Sequence, residues 1–169
     1  IGGRQMFKAE TPGPMKDSKM TPRIAETAKG LWLVYVGVSI ACAISYRVAG
    51  MSWFDAVCHM FSTMGLGGFS THDASFGFFD SPAIEAVAIV FMLIAGMNFG
   101  TLFLSVSGRS LRPYFHDPEA GWFLGITLIS ILVVAMYIWK DGVYPEFDTA
   151  LRHSAFNLVS IATTTGYAS

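Results

Sequence analysis

Three threonines precede a glycine and an aromatic residue in the stretch SIATTTGYAS, residues 160–169. Threonine and glycine are poor helix formers, so the apolar helix predicted before this stretch should end there. The C-terminal end of a helix has free carbonyl groups and a partial negative charge, and Gly166 can adopt backbone angles that other residues avoid. Such carbonyls can replace the hydration shell of a weakly hydrated monovalent cation. The stretch therefore predicts a cation site made of main-chain oxygen atoms, with the threonine hydroxyls either bracing the loop or binding the ion.

The same pattern occurs a second time. Displacing the sequence by 98 residues aligns 55–71 with 153–169 without a gap. An internal repeat of this kind indicates two copies of one structural unit. The aligned pairs include Ser62 with Ser160, Gly68 with Gly166, and Phe69 with Tyr167.

The composition indicates whether the protein folds in water or in a lipid bilayer. Hydrophobic residues make up 53% of the chain and charged residues only 14%, well below the usual quarter of a soluble domain. A membrane protein is the interpretation that follows. The net charge of −1 and the lack of a basic stripe give no support for a nucleic-acid partner, and no cofactor is expected. Cys42 and Cys58 lack metal-ligand spacing and are predicted to be small buried residues.

Long apolar segments alternate with two half-apolar segments that are too short to cross a bilayer. Short helices that end in free backbone are permitted at membrane depth only where protein or water surrounds that backbone. We therefore predict an all-α polytopic membrane protein with span–pore helix–filter loop–span repeats. Its predicted parts are a connector at 1–30; a complete repeat at 31–108 with span 31–49, pore helix 52–64, filter 65–69 and span 82–107; a polar loop at 109–120; and half of the next repeat at 121–169 with span 121–139, pore helix 149–162 and filter 163–167.

Basic residues predict the orientation, because they concentrate in cytoplasmic loops. Segment 1–30 contains six Lys or Arg residues and segment 109–120 contains two. Segment 50–81 contains none, and 140–148 contains one. We therefore expect 1–30 and 109–120 on the cytoplasmic side, and 50–81 and 140–148 outside.

Three stretches carry a resemblance to a known family: TPGPMKDSKMTPRIAETAK, MSWFDAVCHMFSTMGLGGFSTHDASFG and SIATTTGYAS. They resemble the bacterial TrkH/TrkG potassium-uptake proteins of the Trk/Ktr/HKT superfamily, over essentially the whole chain. The resemblance implies four repeats around one potassium-channel-like pore in the inner membrane, with this chain an internal excerpt. It also implies potassium as the transported ion, alone or in symport with sodium or protons. The implied partners are a second copy in a homodimer, a cytoplasmic TrkA-type nucleotide-binding subunit and membrane lipid.

By this resemblance the two aligned glycines are filter glycines of the second and third repeats. The first loop departs from the threonine-rich form, so its ion contacts can come only from the main chain. Phe69 and Tyr167 are expected to wedge the loops from behind. The predicted potassium-binding residues are Leu66, Gly67, Gly68 and Phe69 in one loop and Thr164, Thr165, Gly166 and Tyr167 in the other, with the carbonyls of Leu66, Gly67, Thr164 and Thr165 as ligands.

Other polar residues have structural interpretations. Glu85, near the outer end of a span, is expected to snorkel or to pair with a basic residue rather than bind an ion. Asn98 is expected to hydrogen-bond between helices rather than line the pore. His59 and His153 are expected to be structural. Four acids are placed outside, where they either concentrate cations at the mouth or lie in a solvated loop: Asp73, Asp80, Glu146 and Asp148.

Other function classes fit the sequence less well. An intramembrane serine protease could use Ser62 or Ser160 with His59 or His153, but the chain lacks a G-x-S-x-G elbow and such an enzyme has no use for a repeated filter. A channel for uncharged solutes would direct helix N-termini inward. A sodium/potassium transporter of the same superfamily stays open as an alternative. We therefore predict a transport protein and not an enzyme.

Overall fold

The computed structural model describes residues 24–110 and 112–169, so most of the predicted connector at 1–30 lies outside the described residues. Across the described residues the chain forms helices, turns and loops without a β-strand, which confirms the all-α prediction. The helices are α1 (Ile24–Ala49), α2 (Trp53–Met64), α3 (Pro82–Gly96), α4 (Phe99–Ser107), α5 (Arg112–Phe115), α6 (Pro118–Lys140) and α7 (Phe147–Ala162), with a 3-10 turn at Ser75–Phe78 before α3.

Two helices are long and apolar enough to cross a membrane, namely Ala28–Ala49 within α1 and the whole of α6. Much of their apolar surface is exposed, including Trp122 and Ile129 on α6. Exposed apolar side chains along a span are suited to lipid or to further membrane protein.

The span expected at 82–107 is not one continuous helix. It consists of α3 and α4, which meet at an angle of 100°. Helix α3 ends where the Met97 N–H donates to the Leu93 carbonyl, and Asn98 begins α4 by accepting a hydrogen bond from the Gly100 N–H at 2.9 Å. An asparagine is a strong N-cap, so it favours a new helix start at this position.

The Asn98 side-chain oxygen is used locally, in the cap of α4, so the predicted hydrogen bond to another helix is not made by this atom. The break lies beside the second predicted filter loop. A Cβ atom added to Gly96, the last residue of α3, would lie 2.8 Å from the Thr163 side chain. The glycine thus permits a close approach between α3 and the end of α7.

The two short helices are the elements that position the loops. Helix α2 has 12 residues and α7 has 16, so at about 1.5 Å per residue neither reaches across a hydrocarbon core of about 30 Å. The Ser52 side chain caps α2 by accepting from the Asp55 N–H at 3.0 Å. Helix α2 packs on α1, and α7 packs on both α6 and α3.

An aromatic core joins the two repeats. Phe76, in the 3-10 turn, is completely buried and its ring centroid lies 5.3 Å from that of His59, 5.0 Å from that of Phe156 and 4.5 Å from that of Tyr167. These residues come from α2, α7 and the second loop. Burial of such large side chains is worth about 1.5–3 kcal/mol each, so this core holds the two loop units together.

Candidate functional site: two matched backbone loops

The two predicted filter loops have the same hydrogen-bond pattern. In each loop three successive backbone N–H groups donate back to carbonyls in the last turns of the preceding short helix, and all the partners are displaced by 98 residues. In the first loop Gly65 donates to Phe61 (3.0 Å), Leu66 to Thr63 (3.2 Å) and Gly67 to Ser62 (2.8 Å); in the second Thr163 donates to Val159 (2.9 Å), Thr164 to Ile161 (2.9 Å) and Thr165 to Ser160 (2.8 Å).

The backbone angles of the two loops match as well. Each loop has two left-handed residues separated by one residue outside that region. A left-handed conformation costs about 1–2 kcal/mol for a residue with a side chain, so its recurrence at a leucine and a threonine indicates a required backbone shape. The left-handed residues are Leu66 (φ 50°) and Gly68 (φ 68°) in the first loop, and Thr164 (φ 61°) and Gly166 (φ 91°) in the second.

The loops also touch each other. A Cβ atom added to Gly68 would collide with the carbonyl oxygen of Thr165 and would lie 3.2 Å from the carbonyl carbon of Gly166. Glycine at position 68 is therefore needed for both its φ angle and its lack of a side chain. The two aligned glycines lie at one junction although 98 residues separate them in the sequence.

Threonine hydroxyls brace the second loop. The buried Thr163 hydroxyl donates to the Val159 carbonyl at 2.8 Å and lies 2.8 Å from the equally buried Thr165 hydroxyl. The Ser160 hydroxyl donates to the Tyr167 carbonyl at 2.8 Å. Two of the three threonine hydroxyls therefore hold the loop, while Thr164 is exposed.

The aromatic residues that follow the two glycines differ. Tyr167 is 3% exposed, and its hydroxyl lies 3.2 Å from the Thr63 hydroxyl and donates to the His59 carbonyl at 3.3 Å. Tyr46 of α1 also hydrogen-bonds the Thr63 hydroxyl, at 2.8 Å. Tyr167 thus packs behind the second loop, as expected. Phe69 is 82% exposed, since no described part of the chain covers that side, and its wedging role stays a prediction.

The histidines have structural partners. His59 is completely buried, and its ring nitrogens lie 2.8 Å from the Asp55 carbonyl oxygen and 2.9 Å from the Ser70 hydroxyl. His153 lies 3.1 Å from the Ser169 hydroxyl. The Ser70–His59 pair has a backbone carbonyl, not a carboxylate, as its third member. Ser160, one of the serines of the protease alternative, donates to the Tyr167 carbonyl and not to a histidine.

Glu85 pairs with a basic residue, which is one of the two predictions made for it. Its carboxylate is 2% exposed and accepts two hydrogen bonds from Arg152, at 2.7 and 2.8 Å. Arg152 also donates to Asp80 at 2.9 Å. The bonds to Glu85 raise the pKa of the Arg152 guanidinium further above its ordinary value. Sequence reasoning missed Arg152, although it is the one basic residue apart from histidine in α7.

Four acids are predicted to lie in solvated loops or to concentrate cations, and all four are exposed: Asp73, Asp80, Glu146 and Asp148. Asp80 also pairs with Arg152. At the start of α2, hydrogen bonds from Ser52 and Thr71 lower the pKa of Asp55 below 3.8. Cys42 is buried as predicted, whereas Cys58 is only half-buried. Among the described residues no cluster of three or more His, Cys, Asp or Glu side chains could hold a metal ion.

The fold and the loops define a polytopic membrane protein built from repeats in which a short helix ends in a backbone loop. The chain belongs to the TrkH family, described as cation transport protein, which matches residues 1–169. This is a family of transport proteins and not of enzymes.

Named relatives cover almost all of this chain. It is 50% identical over 167 residues to the Trk system potassium uptake protein TrkH of Salmonella typhimurium, with 99% of this chain and 35% of the relative aligned. It is 42% identical over 168 residues to the Trk system potassium uptake protein TrkG of Escherichia coli K12, with 99% of this chain and 34% of the relative aligned. The chain therefore spans about a third of the length of these relatives.

A solved structure has the same fold. The crystal structure of the potassium transporter TrkH from Vibrio parahaemolyticus is similar with a TM-score of 0.83 and 45% sequence identity. The match covers 89% of this chain and 33% of that protein.

Proposed function

We propose that the complete protein takes up potassium across the bacterial inner membrane through a single pore, to which this chain contributes two filter loops. The relatives named as potassium uptake proteins support the ion and the direction of transport. The observation that carries the proposal is the matched pair of loops, with equivalent hydrogen bonds and left-handed positions, that meet at Gly68 and the Thr165–Gly166 backbone.

The mechanism follows from backbone chemistry. We assign the main-chain carbonyls of Leu66, Gly67, Thr164 and Thr165 as ligands that take the place of water around potassium. Three backbone hydrogen bonds hold each loop in place, and buried hydroxyls also brace the second loop, so little reorganisation is needed when an ion enters. Carbonyl ligands are neutral, which allows an ion to bind firmly enough to enter and weakly enough to leave.

The short helices add a favourable electrostatic field. Helices α2 and α7 both end where the loops begin, so their C-terminal ends place partial negative charge beside the proposed site. A cation is stabilised there and an anion is repelled. The side chains that follow contribute differently: Tyr167 supports the second loop from behind, whereas Phe69 is free to contact another repeat of the complete pore.

The direct test is ion flux into liposomes that contain the complete protein, with potassium and sodium compared. The wild type should conduct potassium in preference to sodium, and Gly166→Ala should lower that preference, since an alanine at a left-handed φ is strained by about 1–2 kcal/mol. Gly142→Ala is the matched control, because Gly142 has a φ of 75° in the loop after α6 but lies outside both filter loops. Absence of potassium flux in the wild type would contradict the proposal.

We further assign 109–120 to the cytoplasm and 50–81 and 140–148 to the outside, from the distribution of basic residues. Single cysteines introduced at 70–80 should react with a membrane-impermeant reagent added outside, and those at 109–118 only with reagent added inside. Sealed spheroplasts and inverted vesicles provide the two sides, and labelling with the reverse pattern would overturn the orientation.

The proposed assembly follows from the family. We propose a homodimer surrounded by lipid, regulated by a cytoplasmic TrkA-type nucleotide-binding subunit that reaches the pore from the side of 109–120. The exposed apolar surface of α6 supports contact with lipid or with further membrane protein.

A further inference from the structure

A buried ion pair joins the two repeats. Glu85 lies in the first turn of α3, in the repeat that contains the first loop, and Arg152 lies on α7, which leads to the second loop. The pair has two hydrogen bonds, at 2.7 and 2.8 Å, in the fork geometry that arginine and carboxylate prefer. With Glu85 2% exposed, removal of Arg152 would leave a carboxylate buried without its partner.

The same two repeats are connected again at the end of the second loop. The Phe76 N–H donates to the Ala168 carbonyl at 3.0 Å, and the Ala168 N–H donates to the Ser75 hydroxyl at 3.3 Å. The segment between the first loop and α3 therefore holds the end of the second loop, while Glu85 holds the helix that leads into it. The second loop is fixed at both of its flanks by the neighbouring repeat.

The ion pair is not part of the repeated unit. The position equivalent to Arg152 in the first repeat is Phe54, which is 71% exposed. The three backbone hydrogen bonds that shape each loop are matched between the repeats, but this contact is not. It therefore belongs to the junction between the repeats and not to the formation of either loop.

We propose that Arg152 is a positioning residue for ion selectivity: through Glu85 it sets the position of α7, and thereby the distance between the second loop and the first. The inference rests on the proposed potassium function. Arg152 lies about 16 Å along the helix from Thr163, at 1.5 Å per residue, so a small tilt of α7 about this point displaces the loop. Ion coordination tolerates displacements of only about 0.5 Å, so such a tilt changes which ion fits.

The test uses the complete protein in liposomes and measures the ratio of potassium to sodium flux, with thermal unfolding in detergent measured in parallel. Arg152→Met should lower the ratio by roughly tenfold, and Arg152→Lys by less, because lysine keeps the charge but loses the fork geometry. The double variant Glu85→Gln/Arg152→Met has no buried charge, so it should unfold near the wild-type temperature while the ratio stays low. Arg47→Met is the matched control, since Arg47 is an exposed arginine at the end of α1, and it should keep the wild-type ratio.

The outcomes separate this inference from the proposed function. A wild-type protein without potassium flux contradicts the proposed function itself. A selective wild type whose folded Arg152 variants have the same ratio overturns the positioning role. Loss of folded protein in both the single and the double variant also overturns it, because the pair would then serve the fold alone. A low ratio in the folded double variant supports it.

Discussion

The loops 65–69 and 163–167 have one backbone shape but are built from different side chains. The first loop contains three glycines, and the second contains three threonines and one glycine. In the second loop buried hydroxyls and Tyr167 supply the bracing, whereas the first relies on its backbone bonds and on the glycines' freedom. The required feature is therefore the backbone conformation, and different side chains can hold it.

Residues of the short helices behind the two loops also make equivalent contacts. His59 and its equivalent, Asn157, each use a side-chain nitrogen to contact the carbonyl oxygen four residues earlier in the helix, at 2.8 and 2.9 Å. The residue two positions after each loop also contacts an equivalent helix position: the Thr71 hydroxyl donates to Asp55 at 2.6 Å, and the Ser169 hydroxyl lies 3.1 Å from His153. Equivalent contacts made by different residue types explain why the histidines do not align with each other in the repeat.

The largest expected effect is a difference in potassium selectivity between the alanine variants of the two aligned glycines. At Gly166 no atom of the described residues lies within 4 Å of an added Cβ, so the cost is the left-handed φ alone, about 1–2 kcal/mol. At Gly68 the added Cβ also collides with the Thr165 carbonyl. Gly68→Ala should therefore abolish selective potassium flux in the complete protein, while Gly166→Ala should lower selectivity only about tenfold. An equal loss of selectivity in the two variants would show that the loops do not meet in the complete protein.

The second-largest effect is expected on stability, at Tyr167 and Phe69, the residues that follow these glycines. Tyr167→Phe removes the hydroxyl that bonds Thr63 and the His59 carbonyl, so the protein should lose about 1–2 kcal/mol of stability and some selectivity. Phe69→Leu is the matched change in the first loop, and because Phe69 is largely exposed it should cost less than Tyr167→Phe. Thermal unfolding of the complete protein measures both. A larger loss for Phe69→Leu would mean that another repeat covers Phe69.

The repeat, its two short helices and the ends of those helices could be predicted from the sequence, because threonine, glycine and hydrophobic length act locally. The left-handed angles of Leu66 and Thr164 could not be predicted, because neither residue favours that conformation and the surrounding hydrogen bonds impose it. The break before Asn98 and the choice of Arg152 as the partner of Glu85 were also missed. Asn98 is a local N-cap signal for the break, whereas the pairing of Glu85 with Arg152 depends on how α3 meets α7, which no local pattern encodes.

The smallest expected effect is a pH dependence of stability. It comes from Asp55, behind the first loop, and has no counterpart behind the second. Asp55 accepts hydrogen bonds from Ser52 and Thr71, and these lower its pKa from 3.8. A carboxylate with a lowered pKa stabilises the folded protein above pH 3.8, and this contribution is lost as the pH falls below that value through the pKa of the folded state. The second loop has His153 at this position, so this carboxylate contribution is absent there.

Thermal unfolding of the complete protein between neutral and acidic pH should therefore show a small loss of stability in the wild type that is reduced in Asp55→Asn. Asp73→Asn is the control, because Asp73 is an exposed acid in the segment between α2 and α3. An identical acid response in the wild type and Asp55→Asn would show that the first loop is held by its backbone alone, and would sharpen the contrast with the second loop, which depends on side-chain hydroxyls.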